Sequence, residues 1–158
     1  MRQSGMIVAQ TKARLMEAIA PGVNTGQLDR IAEEEIRRAG AVPSFKGYIG
    51  AGARAFPATI CVSLNKEIVH GIPGNTVMRQ GDIVSVDVGA ISGGFHGDSA
   101  FTIGVGAISE EAQRLIDATR RALKLGIGQA KAGARVGDIS AAVQGYAERR
   151  GDSVVRQY

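Results

Sequence analysis

Residues 81–104 constrain the chain more than any other stretch. They read GDIVSVDVGAISGGFHGDSAFTIG. Two alternating runs flank Ser92-Gly93-Gly94, the pattern of a β-hairpin. Val84, Val86 and Val88 take one face, and Ser85, Asp87 and Gly89 the other. With the turn centred on Ser92-Gly93, Asp87 stands directly opposite Asp98, about 5 Å apart at Cβ. In that register Ser85 faces Ala100 and Gly89 faces His96. Like charges directly opposed weaken a sheet unless water, a shared proton or a cation intervenes. The small neighbours leave room for such a group. Paired carboxylates on rigid strands suit a hard cation or a two-metal site. The spacing by itself suits a solvated face with two stray acids equally well.

At 158 residues and 44% hydrophobic content the chain is one domain or a large part of one, with a real core. No stretch reads as a membrane span or an apolar signal core, so the expected compartment is the cytoplasm. The single cysteine, Cys61, excludes an internal disulfide and a cysteine metal cage. The net charge is +4, but basic residues are mixed with acids, as in Glu33-Glu34-Glu35 before Arg37-Arg38. No aromatic–basic ladder appears, which argues against nucleic acid as the main partner.

In chain order, 2–20 reads as a helix stopped by Pro21-Gly22. Thr25 is the expected N-cap of a second helix over 26–39, closed by Gly40. Residues 41–58 read as a glycine-rich loop with Phe45, Tyr48 and Phe56, which could line an apolar pocket or tuck the loop onto the core. Thr59–Leu64 reads as a strand carrying Cys61, Asn65-Lys66 as a turn, and Glu67–Val69 as a second short strand. His70 then precedes Gly71-Ile72-Pro73-Gly74, a stiff turn. It could donate a proton or hydrogen bond to a substrate, or be an ordinary turn residue. Ser109 with Glu110-Glu111 opens a helix of 109–131. Val136–Arg150 reads as another, and Ser153–Arg156 as the start of a strand. The abrupt helix at Met1 suggests a shortened chain.

Pro21–Gly40 aligns without gaps on Ala132–Gly151. Gly22/Gly133, Gly26/Gly137, Arg38/Arg149 and Gly40/Gly151 are identical, and the apolar phase agrees. The physical reading is a helix-turn-helix unit used twice. The first copy leads into the aspartate hairpin. The second ends where a matching sheet would begin.

The stretches PGVNTGQLDRIAEEEI, PSFKGY, ICVSLNKEIVHGIPG, GDIVSVDVGAISGGFHGDSAFTIG and SVVRQY resemble the type I methionine aminopeptidases. The resemblance implies an α+β pita-bread (creatinase/aminopeptidase-like) fold, truncated to the first α/β half and the two helices of the second. Residues 1–158 would form one partial catalytic domain: 1–104 the first pseudo-repeat, 105–158 the helices opening the second. The implied activity is metal-dependent removal of the initiator methionine from nascent proteins. The implied partners are peptide N-termini beginning with Met, including ribosome-associated nascent chains. Asp87 and Asp98 would be metal ligands, Asp98 bridging two divalent ions (Co, Mn, Fe or Zn). His70 would contact substrate near the scissile bond. Phe45, Tyr48, Phe56 and Cys61 would form the methionine pocket. Asn65 and Glu67 would lie where backbone carbonyls hold a monovalent cation.

Departures from the family pattern accompany this match. The family's metal-binding histidine and two glutamates would lie beyond SVVRQY, so this chain alone is expected to be largely inactive. Ala51–Ala55 looks like an insertion beside the pocket. His96 shares the aspartate face without being a family ligand. Two other readings stay open. One is a non-catalytic half-domain that binds a partner or self-associates as a homodimer. The other is an X-Pro peptidase, which PSFKGY and HGIPG argue against.

Overall fold

The computed structural model describes residues 1–50 and 54–155. The expectations that fall on Ala51–Ala53 and on Arg156–Tyr158 lie outside the described residues. Two units follow one another along the chain, Met1–Ile108 and Ser109–Tyr158.

The first unit opens with helices α1 (Arg2–Ala18) and α2 (Thr25–Arg38). Strands β1 (Val42–Pro43), β2 (Ile60–Leu64), β3 (Ile83–Ser92) and β4 (Phe95–Gly104) follow. Every strand pairing is antiparallel and runs through β3. β1 and β2 lie along one side of it and β4 along the other. Period-two alternation puts Val84, Val86 and Val88 on the inner face. There they are fully buried in one core with Ile7, Val8 and Leu15 of α1 and Leu28 and Ile36 of α2. The opposite face of the sheet carries both aspartates.

Helix α1 also bonds to β4 through two side chains. Lys12 Nζ donates to Ser99 Oγ at 2.7 Å and to the Ala100 carbonyl at 3.1 Å. Ser4 Oγ donates to the Phe95 carbonyl at 2.8 Å.

The expected N-cap at Thr25 is corrected to Asn24. Asn24 Oδ1 accepts from Gln27 N at 2.9 Å, and Gln27 Oε1 accepts from Asn24 N at 2.8 Å, a reciprocal capping box. The freed Thr25 hydroxyl reaches a distant loop instead. The short strand expected over Glu67–Val69 does not form. Glu67 Oε2 accepts from Leu64 N at 2.8 Å and curls the chain into a turn, leaving Ile68 and Val69 exposed.

The second unit is a pair of helices, α3 (Glu110–Gln129) and α4 (Val136–Arg149). Ser109 Oγ caps α3 through Ala112 N at 3.1 Å. The helices meet closely at Gly126, where an added Cβ would lie 2.8 Å from Val143. No strand forms over Ser153–Val155, which has no paired neighbour among the described residues.

The repeated segments match in geometry as well as sequence. Helices α2 and α4 are each 14 residues long. Their flanking glycines take left-handed backbone in both copies: Gly22 and Gly133 at φ 92° and 85°, Gly40 and Gly151 at 70° and 79°. The copies differ at the start. Asp138 Oδ2 accepts from Arg135 N, but Arg135 lacks a side-chain acceptor to complete the box. Asn24→Ala removes the stronger cap and is expected to lower stability by about 1 kcal/mol. Chemical denaturation should show a lower midpoint with an unchanged slope.

Candidate metal centre

The hairpin turn decides where the aspartates stand. Gly93 and Gly94 both take positive φ, 58° and 78°. A two-residue type I′ loop needs this at both central positions, and glycine supplies it without strain. The turn is therefore Gly93-Gly94, one residue later than the expected Ser92-Gly93. The register is corrected accordingly. Asp87 faces Ala100, Asp98 faces Gly89, Ser85 faces Thr102 and His96 faces Ile91. Each pairing moves by two positions, so both aspartates keep the same face and become diagonal neighbours. Diagonal positions are about 7–8 Å apart, within reach of side chains that lean together. The newly opposed Ser85 and Thr102 hydroxyls hydrogen-bond at 2.7 Å.

Asp87 lies in the middle of β3 and is partly buried, while Asp98 is exposed on β4. Burial raises the Asp87 carboxyl above the usual carboxylate range, and the charge and contact of Asp98 raise it further. The Val88 backbone and the nearby His70 oppose this. Asp87 Oδ1 is buried without a hydrogen-bond partner among the described residues. An unsatisfied buried oxygen costs on the order of 1–3 kcal/mol. Two hard carboxylates on one face, one of them with an orphaned buried oxygen, fit a divalent cation. Among the described residues no third His, Cys, Asp or Glu joins them to make a three-ligand cluster.

Cys61 is the β2 partner of Asp87 on the same face. Burial, then Asp87 and Asp98, push its thiol up to about 11, so it is a neutral wall rather than a thiolate. Phe45 reaches the site because Gly89 has no side chain. A Cβ at Gly89 would lie 2.7 Å from the Phe45 ring. The connection after Phe45 folds back on itself: Gly47 N donates to the Phe56 carbonyl and Phe56 N to the Tyr48 carbonyl, both at 2.9 Å. Phe56 is half-buried, while Tyr48 is 66% exposed.

His70 is exposed and takes a left-handed backbone, φ 61°, which is unusual for a non-glycine residue. Asn65 and Glu67 sit together on the turn after β2. Asn65 Oδ1 accepts from Ile83 N at 3.0 Å, and its Nδ2 donates to Asp82 Oδ1 at 2.9 Å. Both side chains serve the turn, Asn65 through both amide atoms and Glu67 through one carboxylate oxygen. An adjoining hollow of about 310 Å³ is lined by Val62, Leu64, Asn65, Glu67, Ile72 and Thr76. Val62 and Leu64 alternate with Cys61 and Ser63, so they face away from the carboxylates. His96 is exposed near the hairpin tip. Sequence reasoning missed Gly89, Gly71, Ser63 and Thr25, which shape this region. Only the glycines left a signal, as residues without side chains inside or beside strands.

The whole chain, residues 1–158, matches the profile of metallopeptidase family M24. The chain belongs to that family. It is 49% identical over its full length to methionine aminopeptidase 1 of Bacillus subtilis and covers 62% of that protein. It is 49% identical to the methionine aminopeptidase of Clostridium acetobutylicum, again covering 62%. The chain thus spans about three-fifths of the length of the curated relatives it matches. Among solved structures, the methionine aminopeptidase of Rickettsia prowazekii superposes with a TM-score of 0.94 at 36% identity, over 99% of this chain and 61% of that one. A Bacillus anthracis Xaa-Pro dipeptidase superposes with a TM-score of 0.80 at 24% identity, over 94% of this chain and 39% of its own, and shares the fold. The architecture is the α+β pita-bread fold in part.

A raised folded pKa at Asp87 means that the folded chain holds more protons than the unfolded one just above the ordinary carboxylate range. The resulting stability is full below the unfolded pKa and is lost as pH rises through the folded value. At neutral pH the charged Asp87 therefore opposes folding. Asp87→Asn is expected to raise the neutral-pH Tm of the metal-free chain by roughly 1–3 °C and to flatten its acid-side pH dependence. Thermal melts across that pH range check both.

Proposed function

We propose that this chain supplies the first half of a methionine aminopeptidase site, acting on peptide N-termini that begin with Met. The observation that carries the reading is the carboxylate pair with the buried, unpartnered oxygen of Asp87. Asp87 and Asp98 would hold the divalent ions, with Mn, Fe, Co and Zn all suited to the donor set. When bound, such ions supply Lewis acidity toward a peptide carbonyl and toward water. Phe45, Phe56 and the neutral Cys61 offer an apolar wall for a methionine side chain, with Tyr48 at its rim. His70 donates a hydrogen bond to the substrate near the scissile bond. Carbonyls of the Asn65–Glu67 turn are the candidate holders of a monovalent cation. Nascent chains in the cytoplasm are the natural substrates of this reading.

Two carboxylates are few for a divalent ion, which normally takes more protein ligands. The 158-residue chain is therefore expected to bind Mn²⁺ weakly and to release no methionine above background from a Met-Ala-Ser peptide. The test is a chimera, this chain completed with the part of the Bacillus subtilis relative outside the matched stretch. It should release methionine. Asp87→Ala or Asp98→Ala should lower that release by more than about 100-fold, since even groups behind the ligands cost 10–100-fold. An aspartate-independent chimera would sink the proposal.

A second reading rests on β4, which pairs only with β3 among the described residues. Such an edge favours a half-domain that binds a partner or a second copy of itself. A purely monomeric solution mass would remove the self-associating form.

A further inference from the structure

The segment His70–Gly74 is held at both ends by side-chain hydroxyls that lie almost wholly inside the protein. Ser63 and Thr25 are each 3% exposed. At the first end, Ser63 Oγ accepts from Gly71 N at 3.1 Å, and Val62 N donates to the Gly71 carbonyl at 2.9 Å. The approach is so close that a Cβ on Gly71 would overlap the Val62 carbonyl oxygen. At the second end, Thr25 Oγ1 accepts from Gly74 N at 2.9 Å and donates to the Gly74 carbonyl at 3.2 Å. Gly26 N adds a bond to the same carbonyl at 2.8 Å. Ile72, between the two ends, is 63% exposed and contributes little packing.

His70 and Ile72 are exposed and Gly71, Pro73 and Gly74 only half-buried, so packing restrains the segment in part and these bonds add to it. His70 also needs support of another kind. Its left-handed backbone is unfavourable for a non-glycine residue and persists only where its surroundings over-determine it. The residue after it supplies that constraint through Ser63 and Val62.

We infer that Ser63 and Thr25 are positioning residues, whose buried hydroxyls clamp the His70–Gly74 segment and fix where the His70 imidazole stands beside the aspartate face. The inference deepens the proposed function, since it rests on His70 being the substrate-facing group. Among the described residues neither hydroxyl hydrogen-bonds to Asp87 or Asp98, and each acts through the segment it holds. The nearness of His70 to Asp87 agrees with the charge effect that His70 exerts on that carboxyl.

The test uses the 158-residue chain with ¹³C-labelled histidine. The sequence has two histidines, so two imidazole signals are expected, and His70→Gln assigns them. At fixed pH and without metal, Ser63→Ala and Thr25→Val should each move the His70 signal by more than its linewidth and leave His96 in place. Ser63→Thr and Thr25→Ser, which keep a hydroxyl, should return His70 to its original position. A His70 signal unmoved in folded Ser63→Ala and Thr25→Val would overturn the clamp. So would a shift that the hydroxyl-keeping variants fail to reverse. If Ser63→Ala does not fold, the Thr25 pair decides the question. The readout needs neither metal nor substrate. A failed methionine-release assay leaves it standing, and a failed clamp leaves the carboxylate reading intact.

Discussion

An electrostatic cost held in place by β3 underlies the rest of this structure. Its inner face is three valines deep in the core, so the strand cannot shift without exposing them. Its outer face therefore carries Asp87 at a fixed height beside Asp98. The partial burial that the strand imposes raises the energy of the charged carboxyl. Rigidity and strain are linked here: a strand free to slip would relieve the repulsion and lose the site. Stable proteins usually pair or hydrate such groups. Here one oxygen of Asp87 is left buried and without a partner among the described residues.

The neighbours of the aspartates follow from the same strand. Gly89 is small because Phe45 crosses over it, and this brings an aromatic ring to the face without a dedicated helix or strand. Cys61 on β2 pairs with Asp87, and burial, helped by the two carboxylates, keeps its thiol protonated. A thiolate there would compete as a soft ligand for metals. The neutral thiol instead behaves as a small apolar side chain. The Phe45 contact, the Cys61 neighbour and the carboxylate pair thus follow from one register.

Much of this was legible in the residues, for reasons that can be named. The two alternating runs needed a hairpin, and the face shared by Asp87 and Asp98 survived the register error because the correction was by two, which preserves parity. The turn itself was misjudged by one residue, since Ser-Gly and Gly-Gly both suit hairpins until positive φ is required at both positions. The repeat was visible as paired glycines, and their matching backbone angles give it a physical basis. The cap at Asn24 was misplaced because Thr25 is also a good capping residue; the reciprocal bond with Gln27 decides between them. Glu67–Val69 looked like a strand by composition, but a local side-chain bond from Glu67 won over weak β-propensity.

What the sequence hid most completely is the work of hydroxyls over long separations. Thr25 and Gly74 are 49 residues apart, and nothing local in either marks the contact. Ser63 lies opposite Ser85 in the β2–β3 pairing, and both are serines within strands. The difference arises from what lies beyond each. Ser85 meets Thr102 within the sheet, whereas Ser63 meets the backbone of an irregular segment at the edge of β2. Strand edges normally end in water or in another strand. Here an edge is closed by a loop that cannot supply a regular ladder, so side-chain oxygens complete the bonding that backbone pairing leaves undone. A loop held this way can keep an unusual backbone at His70 while leaving its side chain at the surface, which a regular strand could not do.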